Sequence, residues 1–206
     1  MTSPAPLLDT FYPIVPDAAW LPRILPLGVK TVQLRIKDRT GVEVARQVRD
    51  AISFCNAYGA QLIVNDYWQI AVDQGATFVH LGQEDLAAAD LQAIRNAGIK
   101  LGISTHDERE LEIALAAGPD YVALGPIYET KLKAMTWAPQ GLDRLSAWKT
   151  KIGALPLVAI GGITPERAPN VMAAGADSLA VITDFITSAN PEARIMAWIE
   201  WVHGIE

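Results

Sequence analysis

The chain has 206 residues, of which 50% are hydrophobic and 19% charged, a balance that is typical of a packed domain and excludes a disordered or fibrous protein. The formal net charge of −6 at pH 7, without a run of basic residues, argues against a nucleic-acid-binding surface. The single cysteine, Cys55, has no cysteine or histidine at metal-ligand spacing, so it predicts a buried, inert thiol rather than a disulfide or a zinc site.

Residues 1–8 lack the basic and apolar regions of a signal peptide, and no later segment approaches the roughly 20 apolar residues of a membrane-spanning helix. We therefore expect a cytoplasmic protein whose partners include no membrane and no nucleic acid. No linker rich in proline, glycine or serine divides the chain, which predicts a single domain over residues 1–206.

Eight short runs of apolar, β-favouring residues recur along the chain and predict strands. They span residues 11–15, 31–34, 61–64, 78–81, 100–103, 121–124, 157–160 and 178–182. Several of the intervening stretches show helical periodicity and end near a glycine. These stretches span residues 42–58, 86–97, 108–117 and 165–174.

The alternation of buried strands with helix-length connections predicts an α/β fold whose strands are parallel. Eight such units are the pattern of a (β/α)8 TIM barrel, for which 206 residues leave room for few insertions. The alternative is an open dinucleotide-binding or flavodoxin-like sheet, but it would use about five or six strands, and no G-x-G-x-x-G motif follows the first strand. Because barrel enzymes carry their chemistry at the carboxyl ends of the strands, the residues after each run are candidates for the functional site.

Two carboxylates follow neighbouring strands. Asp66 comes after the third run and Asp85 after the fourth, so both side chains are expected at one rim of the barrel. Such a pair can bind Mg²⁺, which is usually held by one or two carboxylates together with water and substrate phosphate oxygens. The alternative is that either aspartate caps the helix that follows it.

Two basic residues follow the second strand. Arg35 and Lys37 alternate with Gln33 along the extended chain, so all three can point to the same side. Arginine offers a planar fork and lysine a point charge for phosphate oxygens, which an acidic protein needs locally if it binds an anionic substrate. The alternative is a solvated group of charges with Asp38 and Arg39 on a surface loop.

A glycine pair follows the seventh strand. Gly161 and Gly162 precede Pro165, which opens a predicted helix, and Thr183 follows the eighth strand. Backbone amides after strands seven and eight of a barrel often bind a phosphate, and glycine permits close approach because it has no Cβ. A Gly-Gly turn alone is weak evidence for such a site.

The histidines and tryptophans favour structural roles. His80 lies inside an apolar run and is interpreted as a satisfied buried group, and the surroundings of His106 are explained equally well by helix capping. Neither is assigned a catalytic role. Tryptophans at 68, 148, 198 and 201 are interpreted as packing residues, because no basic residues accompany them.

Taken in chain order, the polar motifs resemble those of the thiamine-phosphate synthase family. The matching segments are 33–37, 65–66, 82–85, 102–105, 125–130, 133, 138–141, 159–163 and 180–183. They include Gln33-Leu34-Arg35-Ile36-Lys37 and Gly125-Pro126-Ile127-Tyr128-Glu129-Thr130. Each motif alone is modest, but the ordered series covers nearly the whole chain and is specific.

The resemblance implies a transferase of thiamine biosynthesis with a TIM barrel. It would join a hydroxymethyl-aminopyrimidine diphosphate to a thiazole phosphate (carboxylate), releasing diphosphate in a dissociative reaction assisted by Mg²⁺. The resemblance assigns the pyrimidine diphosphate to Gln33, Arg35, Lys37, Asn65, Ser104 and Lys133. It assigns the thiazole phosphate to Thr130, Lys131, Leu132, Gly162, Ile182 and Thr183. Arg35, Lys37 and Lys133 would be the catalytic residues, and Asp66 and Asp85 would bind Mg²⁺.

Two departures from the family pattern are visible. The family usually has Thr-x-Thr-Lys after the sixth strand, whereas Leu132 replaces the second threonine here, and Thr183 stands where serine is common. Three other functions stay open: a thiazole tautomerase of the same fold, a non-catalytic thiamine-precursor binding protein, and a phosphate-binding sugar isomerase. The sequence also leaves the oligomeric state open, with a homodimer among the alternatives.

Overall fold

The computed structural model describes residues 7–130 and 137–205, in which eight parallel strands close into a barrel. Each strand pairs with the next along the chain, and the first pairs with the last. The strands are β1 Phe11–Val15, β2 Thr31–Leu34, β3 Gln61–Asn65, β4 Phe78–Leu81, β5 Lys100–Thr105, β6 Tyr121–Leu124, β7 Leu157–Ile160 and β8 Ser178–Val181. The predicted TIM barrel is confirmed, and every predicted strand is present with its bounds shifted by at most two residues.

Helices connect the strands and cover the outside of the barrel. In the described part of the chain they are α1 Leu21–Ile24, α2 Gly41–Tyr58, α3 Trp68–Gln74, α4 Gln83–Ala88, α5 Leu91–Asn96, α6 Glu108–Ala116, α7 Gly141–Ile152, α8 Ala168–Ala173, α9 Thr183–Ile186 and α10 Pro191–His203. Short 3₁₀ turns span Ala18–Trp20 and Leu25–Leu27. Within these described residues, no helix has both the length and the apolar composition needed to cross a membrane.

Two of the predicted helices differ from those observed. The stretch 86–97 is not one helix, because Asp90 is extended and its side chain accepts a hydrogen bond from the backbone N–H of Ala93, which starts α5 as a separate helix. The helix predicted from residue 165 begins at Ala168 instead. A turn that starts at Thr164 precedes it, with the N–H of Arg167 donating to the Thr164 carbonyl.

The core has two layers, because successive side chains of each strand point to opposite faces. The outer layer packs strands against helices and contains Trp148 and Trp198, which are 1% and 0% exposed. Trp68 and Trp201 pack against this layer from its edge, so the packing role predicted for these tryptophans is confirmed. The inner layer fills the barrel. It consists of Leu8, Tyr12, Ile14, Ile63, Phe78, Tyr121, Ala123, Val158 and Ala180.

The phenol of Tyr121 occupies space that a side chain on the neighbouring strand would otherwise fill. Tyr121 pairs in register with Gly102 of β5, and a Cβ at Gly102 would overlap the Tyr121 ring. The missing side chain at Gly102 therefore admits a large aromatic residue into the middle of the barrel.

At the amino end of the barrel, carboxylates hold the starts of β5 and β7. The Asp120 carboxylate accepts a hydrogen bond from the N–H of Leu101 at 2.8 Å, and the Asp177 carboxylate accepts one from Leu157 at 2.7 Å. Asp177 also forms an ion pair with Lys149, again at 2.7 Å. These carboxylates accept hydrogen bonds from strand amides near the start of β5 and β7.

Candidate active site

The carboxyl ends of β2 to β5 bring half of the predicted site residues to one mouth of the barrel. β2 leads into Arg35 and Lys37, β3 ends at Asn65 and leads into Asp66, and β5 carries Ser104. Two basic residues, the carboxylates that follow β3 and β4, and the buried amide of Asn65 therefore lie at one rim.

Lys37, Asp66 and Asp85 form a charged cluster at this mouth. The Lys37 ammonium lies 2.5 Å from the Asp66 carboxylate, whose side chain is 14% exposed. Asp66 has a left-handed backbone conformation with a φ of 66°, uncommon for a residue with a side chain, which turns the chain sharply after β3. Burial raises the pKa of Asp85, and both the charge of the Asp66 carboxylate and a hydrogen bond to it raise this pKa further.

The helix-capping alternative does not describe these two aspartates. The N-cap residues of α3 and α4 are Tyr67 and Gly82, and neither helix has a side-chain cap. Asp85 lies inside the first turn of α4, with its carboxylate close to Gly82. Neither carboxylate caps a helix, so the two can lie next to each other.

The carboxylate pair fits a divalent cation, because two acidic groups in hydrogen-bond contact repel one another unless they share a proton or a cation. The described residues contain no group of three or more histidine, cysteine, aspartate or glutamate side chains that could hold a metal. Asp66 and Asp85 could supply two ligands of a divalent cation, and Mg²⁺ is usually held by one or two carboxylates together with water and phosphate oxygens.

The Arg35 guanidinium is available for an anion. Arg35 is partly buried, and within residues 7–130 and 137–205 its side chain makes no hydrogen bond or ion pair. Its backbone N–H donates to the Val15 carbonyl, which fixes the chain beside β1. Asn65 is 5% exposed, and in the described ranges its amide group likewise makes no side-chain hydrogen bond. A guanidinium and an amide thus reach the mouth without a protein partner in those ranges.

Below the mouth, a buried polar network crosses the barrel. The two ring nitrogens of His80 lie 2.7 Å from the Tyr121 hydroxyl and 2.7 Å from the Ser104 hydroxyl. Tyr121 also has side-chain hydrogen bonds with Tyr12 and Gln33. Burial raises the pKa of both tyrosines, so both stay protonated.

His80 is neutral in this network. Burial lowers its pKa to about 4, the Asp66 charge raises it, and the Arg35 charge lowers it further. The interpretation of His80 as a satisfied buried group is confirmed, since both ring nitrogens have partners. The network also reaches Gln33 and Ser104, two of the residues that were predicted to contact the pyrimidine.

The glycine pair after β7 packs against the loop that follows β6. Gly161 and Gly162 have φ values of 102° and 66°, a region that favours glycine. A Cβ at Gly162 would lie 2.6 Å from the Glu129 carbonyl oxygen and 2.8 Å from the Tyr128 Cβ. This packing gives a reason for glycine that differs from the predicted one, because a Cβ would first meet the β6 loop rather than a ligand.

Arg167 holds the same turn from outside. Its guanidinium donates a hydrogen bond to the Gly162 carbonyl at 2.7 Å and lies over the Tyr128 ring at 4.5 Å. Loop and turn therefore form one packed unit.

The remaining predicted residues lie at the ends of β6 and β8. Ile182 packs against the inner core layer, and Thr183 is the first residue of α9. Thr130 is partly buried at the end of the described β6 loop. Lys131, Leu132 and Lys133 lie outside the described residues, so their predicted contacts stay predictions.

Sequence reasoning missed Tyr121, which has a hydrogen bond with Gln33, and Tyr12, which has one with Tyr121. The available signal was that Tyr121 and the residue opposite it, Gly102, form a large-and-small pair on adjacent strands. His106 also makes contacts that were not predicted: it stacks on Trp137 at 5.4 Å, and its Nδ1 lies 2.7 Å from the Glu110 carboxylate.

Three comparisons agree with this geometry. A family model described as thiamine monophosphate synthase matches residues 12–185. The thiamine-phosphate synthase of Rhizobium etli is 60% identical over 192 residues, which are 93% of this chain and 94% of that protein. The thiamine-phosphate synthase of Escherichia coli K12 is 48% identical over 187 residues, covering 91% and 89% of the two chains.

A solved structure has the same fold. Thiamine phosphate pyrophosphorylase from Pyrococcus furiosus superposes with a TM-score of 0.83 at 24% identity, covering 96% of each chain. The sequence matches span most of the chain, including every strand end described above. This chain belongs to the thiamine monophosphate synthase family.

Proposed function

We propose that this protein joins an aminopyrimidine diphosphate to a thiazole phosphate, giving thiamine phosphate and diphosphate. The observation that carries the proposal is the mouth of the barrel, where Arg35, which has no side-chain partner among residues 7–130 and 137–205, follows the same strand as Lys37, and Lys37 pairs with one of two facing carboxylates. In a chain with a net charge of −6, this local combination favours a substrate that brings both phosphate oxygens and a cation. The names of the relatives support the same reaction.

The pyrimidine diphosphate would occupy the β2 to β5 side of the mouth. Gln33 and Ser104 would contact the ring from inside the barrel, and Asn65 would reach the bridge to the diphosphate. Arg35, Lys37 and Lys133 would bind the diphosphate oxygens. Charge-assisted hydrogen bonds of this kind are roughly twice as strong as neutral ones.

Asp66 and Asp85 would hold Mg²⁺. When bound, the ion would supply positive charge to the diphosphate, which becomes a better leaving group. Lys37 pairs with the Asp66 carboxylate, so an ion bound to Asp66 would compete with Lys37 for this group.

The thiazole phosphate would occupy the β6 to β8 side. Thr130, Lys131 and Leu132 would line the thiazole, while Gly162, Ile182 and Thr183 would contact its phosphate through backbone groups. The packing of Gly162 against the β6 loop supports this assignment, because it brings the turn after β7 beside the loop that carries Thr130.

The reaction would be dissociative. The carbon–oxygen bond to diphosphate breaks as Arg35, Lys37 and Lys133 stabilise the departing charge, and the thiazole nitrogen then captures the aminopyrimidine-methyl cation. Such electrostatic stabilisation is usually the largest single contribution to catalysis. This route needs no covalent nucleophile. It also leaves Cys55 without a chemical role, since its thiol is 1% exposed and burial raises its pKa to about 12.

A thiazole tautomerase on the same fold is not favoured. It would need neither a diphosphate wall nor a metal pair, and the relatives at 48–60% identity are named synthases. The test is incubation with both phosphorylated precursors and Mg²⁺, with separation of thiamine phosphate and diphosphate from the precursors. Arg35→Ala is expected to abolish product, whereas Arg49→Ala, which changes an arginine on the exposed face of α2, is the matched control and should retain the parent rate. Folded parent protein that forms no product would contradict the proposal.

A further inference from the structure

An arginine of α10 binds two carboxylates that lie on separate segments of the chain. The Nε and Nη2 atoms of Arg194 donate to the two carboxylate oxygens of Asp184, at 2.7 and 2.8 Å. Its Nη1 and Nη2 atoms also donate to the two carboxylate oxygens of Glu166, each at 3.3 Å. One guanidinium therefore connects both segments.

These two segments carry the residues that were predicted to contact the thiazole phosphate. Asp184 follows Thr183 in the first turn of α9, and Glu166 lies between Gly162 and the start of α8. Arg194 thus joins the turn after β7 to the start of α9. The proposed reaction gives this arginine no role of its own.

The pair with Asp184 is the buried half of this connection. The Asp184 side chain is 10% exposed, and one of its oxygens accepts a third hydrogen bond, from the indole Nε1 of Trp198 at 2.8 Å. Trp198 is fully buried in the outer core layer. Bidentate pairs of arginine and carboxylate fix geometry as well as charge, so Asp184 is held firmly against α10.

The pair with Glu166 is the exposed half, and it reaches the glycine turn. The Glu166 side chain is 70% exposed, and exposed ion pairs contribute little to stability. The next residue, Arg167, donates a hydrogen bond to the Gly162 carbonyl at 2.7 Å. A displacement of Glu166 would therefore move the Gly162 turn, so the effect of this pair is on position rather than on stability.

We propose that Arg194 is a positioning residue for the thiazole phosphate, which holds the turn after β7 and the start of α9 at the separation at which both contact one phosphate group. This inference rests on the proposed function, which assigns the phosphate to Gly162 and Thr183. Groups that bind one small anion from two segments must converge on it, and small displacements of such groups lower affinity strongly. The planar fork is required, because a lysine at this position offers only a point charge and cannot bind both carboxylates in the same way.

Two variants test the connection at its two ends. Arg194→Lys keeps the charge but loses the fork, and it should weaken binding of thiazole phosphate by about tenfold. Glu166→Gln breaks only the exposed pair and leaves Asp184 bound, so the protein should fold normally and bind thiazole phosphate about threefold more weakly. In the Arg194→Lys background, Glu166→Gln should cause no further loss, because the two residues act as one unit.

Two comparisons separate positioning from general damage to α10. The thiazole alcohol, which lacks the phosphate, should bind every variant as it binds the parent. Glu192→Gln is the matched control, since it breaks the exposed pair between Arg23 and Glu192 on the same helix, where the two groups lie 2.7 Å apart. This control should change the affinity for neither thiazole.

The measurements are calorimetric titrations with thiazole phosphate and with the thiazole alcohol, which need no turnover. Equal losses for the two ligands, or a phosphate preference that matches the parent in either Arg194→Lys or Glu166→Gln, would overturn the inference even if the protein makes thiamine phosphate. The expected selective losses in a protein that makes no product would support the inference and contradict the proposed reaction. A parent that binds the alcohol as tightly as the phosphate would also overturn the inference.

Discussion

Replacing Gly162 by alanine tests whether the turn after β7 and the loop after β6 form one packed unit. At a φ of 66°, the left-handed conformation costs a residue with a Cβ roughly 1–2 kcal/mol. The Cβ would also lie 2.6 Å from the Glu129 carbonyl, so the loop must retreat by about 0.8 Å to reach an ordinary contact of 3.4 Å. Overpacking of this kind typically adds about 1–3 kcal/mol. We expect Gly162→Ala to lower the free energy of unfolding by about 2–5 kcal/mol.

Gly59→Ala is the matched control. Gly59 has a φ of 64°, but a Cβ there would meet nothing within 4 Å, so this variant measures the conformational cost alone. Urea denaturation of both variants gives the steric contribution by difference. Steady-state titration with each substrate should show that Gly162→Ala raises the KM for thiazole phosphate more than that for the pyrimidine diphosphate. Equal losses of stability in the two variants, with an unchanged thiazole KM, would refute the described packing.

Three further predictions follow from the charged and buried groups. Asp66→Asn and Asp85→Asn should leave the melting temperature without metal unchanged or higher, because each removes one of two facing carboxylates. Both variants should lose the Mg²⁺-induced rise in melting temperature and the Mg²⁺-dependent turnover, and a parent-like response to Mg²⁺ would contradict the assignment. Arg35→Lys should raise the KM for the pyrimidine diphosphate by roughly tenfold and leave the KM for thiazole phosphate unchanged, because lysine keeps the charge but loses the planar fork. Equal changes in both KM values would argue against the assignment. Burial raises the pKa of Cys55 from 9.0 to about 12, so the folded state binds the thiol proton more tightly than the unfolded state does. The contribution of this proton to stability should be complete below pH 9 and lost as the pH rises toward 12. Urea titrations of the parent and of Cys55→Ala across this pH range measure it.

The sequence predicted the strands well because parallel strands that are covered on both faces consist of nearly continuous apolar runs. The helix over 86–97 was predicted less well, since the periodicity continues across Asp90 although this residue starts a new helix. Local patterns also placed Asp66 and Asp85 at strand ends, where the structure brings them into contact.

The buried network could not be predicted in the same way. The contact between Tyr121 and His80 joins residues 41 positions apart, and it depends on how far β4 and β6 are offset when the barrel closes. The network also includes Tyr12 of β1, a strand that pairs with neither β4 nor β6. Sequence patterns describe the faces of single strands, whereas this network depends on the register between several.

The amino end of the barrel has a practical consequence for handling the protein. Asp120, Asp177 and Lys149 are engaged with strand amides and with each other at the face opposite the proposed site. An affinity tag or another attachment to a surface, placed at this face, would hold the protein with its mouth pointing away from the surface. Immobilised protein oriented in this way should bind both phosphorylated substrates as the free protein does, which makes surface-based binding measurements feasible without obstructing either half of the proposed site.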